Sequence, residues 1–222
     1  MFTNIPTVTR ALLIANGIVF VLQHLLGGRM LMPFELWPLG MPAAYAAEGI
    51  RFMPWQLLSY GFMHGSLAHL LFNMLALLMF GAQLEHVWGS RRYLVFYLVC
   101  VAGAGLCQLG VASWVLDQGG SIIRTVGASG GVFGLLLGYG MLFPNQRVML
   151  LIPPIPMKAR TLVIVYGVIS LLFGITGTQS GVAHFAHLGG MLFGWLLIRY
   201  WRGQPPFRPG GGRRKGPQLR AM

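Results

Sequence analysis

The stretch TVGASGGVFGLLLGYG, residues 125–140, sets a single serine among glycines and aliphatic side chains. Gly130, Gly134 and Gly138 recur every four residues, so they share one face of a helix. A stripe of small residues lets helix backbones approach closely in a membrane. Ser129 is therefore either a small packing residue or a nucleophile, and the stretch alone leaves both interpretations open.

The composition of the whole chain indicates a membrane protein. Of its 222 residues, 55% are hydrophobic and only 9% are charged, whereas an ordinary soluble domain is about 25% charged. Lipid removes the need for a charged surface, so we predict an all-α, polytopic membrane protein. Cys100 and Cys107 lie about 10 Å apart along one predicted helix, which is too far for a disulfide.

Six apolar segments are long enough to cross a bilayer, which takes about 20 residues. They form one predicted membrane domain, residues 1–202, with a long first loop, 28–59, expected to be partly embedded because it is rich in Pro, Trp and Phe. Residues 203–222 are a basic tail rich in Gly, Pro and Arg, which we expect to be disordered. The predicted spans are about 11–27, 60–84, 92–116, 127–143, 160–176 and 182–201.

The distribution of basic residues predicts the orientation of the chain. With six spans, Arg29, Arg51 and Arg124 fall on one side, and the other thirteen of the 16 Lys and Arg residues fall on the opposite side. The positive-inside rule then places both termini in the cytoplasm, with the chain in the cell membrane. This topology accounts for the net charge of +12. We expect the tail to contact anionic lipid, and we expect no nucleic-acid partner.

Polar residues within the predicted spans cluster at one depth. His69 and Asn73 share a face of the second span, Ser129 begins the fourth, and His184 and His187 share a face at the start of the sixth. All three spans enter from the non-cytoplasmic side, which puts these groups roughly 5–15 Å below that surface. Because intramembrane polar groups are costly and indicate function, the sequence predicts a shared site.

A serine and a histidine at one depth can act as a nucleophile and its base. Ala186, Gly190 and Gly194 form a second stripe of small residues on the sixth span. If the two stripes face each other, Ser129 comes within hydrogen-bond reach of His187. No acidic residue is placed to complete a triad, so the prediction is a Ser–His dyad without a metal or a cofactor.

A tetrahedral oxyanion needs hydrogen-bond donors. The Ser129 backbone N–H at a helix N-terminus, the Asn73 amide and the His69 ring N–H are the expected ones. His184 is an alternative base, but it lies one turn nearer the surface than His187 and is not followed by the same glycine spacing. We expect it to line the water-accessible mouth.

Three short motifs lie on alternate predicted spans. They are H-x4-H-x3-N (His64, His69, Asn73), G-x-S-G (Gly127, Ser129, Gly130) and A-H-x-x-G (Ala186, His187, Gly190). In this order they resemble the motifs of the rhomboid intramembrane serine proteases, over roughly residues 50–200. The resemblance implies a six-helix core and cleavage of single-pass membrane proteins in or near their transmembrane segment. It also implies that Ser129 is the nucleophile, that His187 is the general base and acid, and that His69, Asn73 and the Ser129 amide form the oxyanion hole.

The same resemblance supplies expectations about supporting residues. Phe133 matches a position where some members carry a tyrosine packed against the catalytic histidine. His64 is expected near the mouth, where water enters. Some members carry Trp-Arg in the first loop, whereas this chain has Trp55-Gln56, so Glu85 is expected to lack an arginine partner. By analogy, the segment 177–183 forms a lid and the fifth span forms one side of a lateral entrance.

Three other functions remain open at this stage. Four histidines, at positions 64, 69, 184 and 187, can be imagined as metal ligands, although their spacing suits shared ligation poorly. A transporter or channel would carry ionisable groups across the full membrane depth, whereas here they cluster at one end. The third alternative function is that of a catalytically inactive rhomboid relative that binds membrane proteins. Neither the substrate nor the oligomeric state follows from the sequence.

Overall fold

A computed structural model describes residues 5–149, 155–177 and 183–207. Most of the described chain is helical, with one short pair of antiparallel strands between two of the helices. The helices are α1 Thr7–Leu25, α2 Gly28–Leu31, α3 Ala43–Ala47, α4 Gln56–Ser59, α5 Leu67–Ala76, α6 Ala82–Trp88, α7 Ser90–Asp117, α8 Ser129–Leu142, α9 Ala159–Thr176 and α10 His184–Trp201. Short 3₁₀ turns cover Met32–Phe34 and Tyr60–Phe62, a π-helical turn Leu77–Gly81 joins α5 to α6, and the hairpin pairs β1 Arg147–Met149 with β2 Pro156–Lys158.

Four helical segments among the described residues are long and apolar enough to cross a membrane. They are α1, the continuous segment Leu67–Trp88, α7 and α9. Helix α8 is apolar but has only 14 residues. Helix α10 has 18 residues, and its two histidines and Arg199 lower its mean hydropathy. The predicted all-α membrane bundle is confirmed, while six complete crossings stay a prediction.

The second span begins later than the sequence suggests. Residues 60–62 form a separate 3₁₀ turn, and α5 starts only at Leu67. Ser66 caps this helix, since its hydroxyl accepts a hydrogen bond from the His69 backbone N–H at 3.1 Å. His64 therefore lies in the turn before the helix and not on its first turns.

Helices α7, α8 and α10 form the centre of the bundle. Side chains of α7 fill the space between the other two, and Tyr93, Phe96, Tyr97 and Cys100 are fully buried there. Both cysteines are free thiols, as predicted. Helices α1 and α9, by contrast, present many apolar side chains outward, as expected of helices that face lipid. Polar residues on α8 and α10 are therefore held in the interior of the protein.

Glu85 fixes the start of α1. Its carboxylate accepts hydrogen bonds from the backbone N–H groups of Val8 and Thr9, at 2.9 and 2.7 Å, and from the Thr9 and Ser90 hydroxyls, at 2.8 and 2.7 Å. These donors satisfy the carboxylate in place of an arginine, and they cap α1 where its N-terminus carries positive partial charge. The side chain of Gln23, near the other end of α1, bonds the His64 backbone.

Gln56 organises the first loop. It is completely buried, and its side-chain amide donates to the carbonyl oxygens of Pro33 and Arg51, at 3.1 and 2.9 Å. Its side-chain oxygen accepts from the Trp37 backbone N–H at 3.2 Å. A neutral amide, with both donors and an acceptor, thus connects three parts of a loop that contains only short helices.

The two glycine stripes meet over their outer halves, where Gly130 and Gly134 both face Gly190. A Cβ added at Gly190 would overlap the Gly130 carbonyl group, so the backbones of α8 and α10 touch there. Deeper in the bundle, Gly138 and Gly194 both face the ring of Phe96 on α7. The condition that the stripes face each other is therefore met in their outer halves, whereas α7 lies between the two helices further in.

Candidate active site

Ser129 and His187 lie within hydrogen-bond distance of each other. Ser129 is the first residue of α8, and His187 is in the first turn of α10. The serine Oγ is 2.9 Å from His187 Nε2. The contact of Gly130 with Gly190, one and three positions further along the two helices, brings the helix ends close enough for this bond. The geometry is that of a hydroxyl and a base in direct contact.

The His187 ring is held by packing. It stacks on Phe133 with a centroid distance of 4.0 Å and an angle of 9° between the ring planes. Tyr166 of α9 contacts the other edge of Phe133, and His184 meets His187 edge-on at 5.9 Å. Only 8% of His187 is exposed, and no described residue hydrogen-bonds its Nδ1 atom. Its orientation thus rests on Phe133 rather than on a carboxylate.

The histidines and the asparagine of the second-span motif lie next to Ser129 and the turn before it. Asn73 is buried on the face of α5 that carries His69, and its amide nitrogen donates to the His69 carbonyl at 2.9 Å. The His69 ring lies against Gly127, two residues before Ser129. His64 lies beside His69, with ring centroids 5.0 Å apart, and is buried. The predicted polar layer is therefore one continuous cluster.

Gly127 has a conformation that other residues rarely adopt. Its φ is +128°, and a Cβ at this position would lie 2.6 Å from His69 Cε1. Its backbone N–H donates to the Tyr60 carbonyl at 2.9 Å. Glycine is required here both for the backbone angle and for the close approach of the imidazole.

A cavity of about 1210 Å³ opens beside Ser129 and His187. The extended segment 121–126 forms its outer wall, and the cavity continues along α5, α8 and α9 as far as Val148 and Met149 of the hairpin. Its walls are mostly apolar side chains, which include Phe72, Met79, Phe133, Tyr166 and Phe173. The polar cluster thus lies at the outer end of an apolar groove.

Two features of this cavity escaped the sequence analysis. Gln108 of α7 lines it, is only 4% exposed, and has a side-chain oxygen without a hydrogen-bond partner among the described residues. A glutamine in the middle of an apolar span indicates a functional position, and this criterion would have identified Gln108 from the sequence. The second feature is an ion pair in the outer wall between Arg124 and Glu35. No local pattern predicts it, because the partners are far apart in sequence.

The Glu35 carboxyl is in direct contact with this wall. Arg124 Nη1 donates to both of its oxygens at 3.1 Å. Burial raises the pKa of Glu35 above its ordinary value, and the Arg124 guanidinium acts in the opposite direction. The Arg124 guanidinium therefore favours the charged form of the Glu35 carboxyl, which burial disfavours.

The histidines do not converge on a metal position. His64 contacts His69, and His184 contacts His187. Within residues 5–149, 155–177 and 183–207, no group of three or more His, Cys, Asp or Glu side chains has the geometry to hold a metal ion. Nothing in this arrangement supports the metal-site alternative.

Fold and site together define a helical membrane protein with a half-buried serine in contact with a buried histidine beside an apolar cavity. The family model for the rhomboid domain matches residues 51–203, more than half of the chain. The chain therefore belongs to the rhomboid family. All three motifs that carried the resemblance lie within the matched region.

Several curated rhomboid proteins are similar to this chain. RHOMBOID-like protein 4 of Arabidopsis thaliana is 36% identical over 64% of this chain and 33% of its own length. Rhomboid protease GluP of Bacillus subtilis is 34% identical over 64% of this chain and 25% of its own length. Rhomboid protease GlpG of Pectobacterium atrosepticum is 28% identical over 87% and 62%, respectively. The chain spans between a quarter and two thirds of the length of such relatives.

Proposed function

We propose that this protein is an intramembrane serine endopeptidase that uses a Ser129–His187 dyad. The observation that carries the proposal is the 2.9 Å contact between Ser129 Oγ and His187 Nε2 at the outer end of an apolar cavity. Membership of a family that includes proteases such as GluP and GlpG supports it.

The reaction follows from the geometry of the pair. Ser129 Oγ attacks a peptide carbonyl carbon while His187 Nε2 accepts the hydroxyl proton. The tetrahedral intermediate collapses, the C–N bond breaks, and His187 returns the proton to the departing amine. Water then attacks the acyl-enzyme ester while His187 accepts one of its protons. The second tetrahedral intermediate collapses, the bond between the acyl carbon and Ser129 Oγ breaks, and His187 returns the proton to Oγ, which releases the carboxylic acid and restores the enzyme.

The oxyanion formed in each half-reaction needs hydrogen-bond donors close to the carbonyl group that Ser129 Oγ attacks. The Ser129 N–H is one, because the first N–H groups of a helix lack partners within the helix. The Asn73 amide has a second N–H besides the one bonded to the His69 carbonyl. The His69 ring, held against Gly127, is the third donor that we assign.

His187 is favoured over His184 as the base. The ring nitrogen in contact with Ser129 Oγ is Nε2 of His187, placed to accept the hydroxyl proton, whereas both ring nitrogens of His184 lack a partner among the described residues. His184 lines the cavity next to His187, with Phe173 against its other side. We assign it to the mouth of the site, together with His64.

The apolar groove favours a membrane-embedded substrate. We propose that it receives the transmembrane segment of a single-pass protein from the bilayer, along α9. A transmembrane helix hides its carbonyl groups in hydrogen bonds, so glycine or alanine and other residues that let the helix unwind are expected near the cut. The proposed lid, 177–183, lies mostly outside the described residues.

The orientation proposed for the chain places the site toward the non-cytoplasmic surface. Thirteen of its 16 basic residues then lie on the cytoplasmic side, with both termini. The family supports a membrane location, and the cell membrane is our proposal. Within the basic tail, residues 208–222 lie outside the described part of the chain.

An inactive binding factor is the alternative within the same family, and a transporter or channel is a more distant one. The intact Ser–His contact favours a protease over an inactive relative. The histidines that line the cavity lie together at one end of it and not along its whole depth, which argues against a conduction path.

The dyad is tested with wild type, Ser129→Ala and His187→Ala reconstituted in liposomes. The substrate is a labelled single-pass protein with a Gly-Ala stretch at the outer end of its transmembrane segment. We expect both variants to lose activity by a factor of at least about 10³, because each removes one member of a nucleophile–base unit. A fluorophosphonate probe should label wild type but not Ser129→Ala.

One control variant and two outcomes separate the alternatives. Gly110→Ala controls for the effects of purification and reconstitution on a variant, because a Cβ added at Gly110 has no neighbouring atom within 4 Å. Cleavage by folded Ser129→Ala at the wild-type rate would refute the protease assignment. Substrate binding without cleavage by wild type would favour the inactive relative.

A further inference from the structure

The outer wall of the cavity is made by a segment with no regular secondary structure of its own. Residues 121–126 connect the end of α7 to the turn before Ser129, and all six line the cavity. Only Thr125 takes part in a β-bridge. A segment outside helices keeps its shape only through tertiary contacts, so the contacts of this wall determine what the cavity can bind.

The first loop holds this wall from outside. Leu36 and Thr125 exchange two backbone hydrogen bonds, each 3.0 Å long, as an isolated antiparallel bridge. Next to the bridge, the Arg124 guanidinium contacts both oxygens of Glu35 at 3.1 Å. The Glu35 side chain is only 6% exposed, whereas that of Arg124 is 56% exposed and lines the cavity.

The lower end of the same segment is fixed independently of Glu35. Gly127 bonds the Tyr60 carbonyl, Ala128 is completely buried, and Gly130 packs against Gly190. The Ser129–His187 contact depends on these neighbours. Loss of the Glu35 charge should therefore loosen the wall at Arg124 and Thr125 without moving the dyad.

We infer that Glu35 is a positioning residue, which acts through Arg124 to hold the cavity wall in the shape that binds a polypeptide substrate. This inference rests on the proposed protease function. It assigns a role to the first loop, far from Ser129 in sequence: the loop supplies the rigid support for one side of the substrate site. Glu35 itself does not touch the reacting atoms.

The test compares Glu35→Gln, Arg124→Gln and the double variant in proteoliposomes, with the same Gly-Ala single-pass substrate. For each single variant, we expect KM to rise roughly tenfold, as for the loss of one charge-assisted contact. We expect kcat to stay within about twofold, because ground-state and transition-state binding are weakened alike. The double variant should be no worse than either single one, because the two side chains act as a pair.

Two further measurements separate positioning from a general loss of structure. The rate at which a small fluorophosphonate labels Ser129 should be the same in Glu35→Gln as in wild type, since this probe needs the dyad but not the wall. Glu48→Gln removes the charge of the exposed pair with Arg29, whose side chains are 58% and 84% exposed, and should leave KM unchanged.

Each outcome decides the matter. A rise in KM with unchanged labelling supports the inference. Unchanged KM overturns it, and so does a parallel loss of labelling and kcat, which would mean that Glu35 supports the dyad itself. Additive effects in the double variant would also overturn it. Failure of wild type to cleave or to react with the probe would refute the protease function instead, whatever Glu35 does.

Discussion

The His187 imidazole illustrates how one residue can be oriented without an acidic partner. In a triad, a carboxylate fixes the histidine tautomer and ring direction. Here Phe133 stacks on the ring at 4.0 Å, and no described residue bonds Nδ1. A stacked aromatic ring can fix the plane of the imidazole, but it does not stabilise the positive charge as a carboxylate would. The Ser129 hydroxyl is the contact that fixes the ring direction.

Removal of the stacking ring should slow the reaction. We expect Phe133→Ala to lower kcat about 3- to 10-fold, the range that corresponds to the loss of one aromatic pair, because His187 is then free to rotate away from Ser129. Phe133→Tyr keeps the stacked ring and should retain most of the activity. Steady-state cleavage in proteoliposomes measures both. An unchanged kcat in Phe133→Ala would mean that other contacts orient His187.

At the scale of elements, two glycines determine how closely α8 and α10 approach. The Gly130–Gly190 contact leaves no space for a methyl group, whereas Gly138 and Gly194 are separated by the Phe96 ring of α7. The sequence predicted close helix packing from the repeated spacing of the stripes. It could not predict that a third helix enters between their inner halves, because spacing within a helix says nothing about which neighbour each turn meets.

A methyl group at the crossing should therefore be costly. We expect Gly190→Ala to destabilise the protein by about 1–3 kcal/mol, because the added Cβ overlaps the Gly130 carbonyl and the helices must move apart. Separation of α8 from α10 should also reduce fluorophosphonate labelling of Ser129. Unfolding in mixed micelles measures the first effect, and labelling rates measure the second.

The matched control for this change is another helical glycine. Gly110→Ala on α7 introduces the same methyl group where nothing lies within 4 Å. Because alanine favours a helix, this variant should be as stable as wild type or slightly more so. Equal stability of the two variants would contradict the importance of the Gly130–Gly190 contact.

For the molecule as a whole, the arrangement of the helix ends bears on its orientation. The beginning of α1 is held by the Glu85 carboxylate, which also accepts a hydrogen bond from the Ser90 hydroxyl, close to the turn between α6 and α7. The opposite end of α1 is connected to His64, before α5. Helix α1 thus runs antiparallel to the α5–α6 segment, as the predicted topology requires of the first two spans, and His64 and the polar cluster lie at the end opposite to the start of α1.

The proposed orientation can be tested with two exposed glutamines. Gln118 follows α7 on the predicted non-cytoplasmic side, and Gln146 precedes β1 on the predicted cytoplasmic side. In intact cells, a membrane-impermeant maleimide should label Gln118→Cys and not Gln146→Cys, and both should react after lysis. Wild type provides the background, because Cys100 is buried and Cys107 is only partly exposed. The reverse pattern would invert the topology.

The sequence by itself determined the class of protein and the residues of the polar cluster. Low charge and long apolar segments require a membrane, and helical periodicity places His69 with Asn73 on one face and His184 with His187 on another. These properties are local, so they can be inferred from hydropathy and spacing. The motifs together then pointed to the rhomboid family, to which the chain belongs.

Only the tertiary structure decided which groups touch across the bundle. It brings Ser129 to His187 rather than to His184, moves His64 off the second helix, and joins Glu35 to Arg124. Such contacts join residues distant in the chain. They depend on how helices and loops pack against one another, and one-dimensional spacing carries no information about that packing.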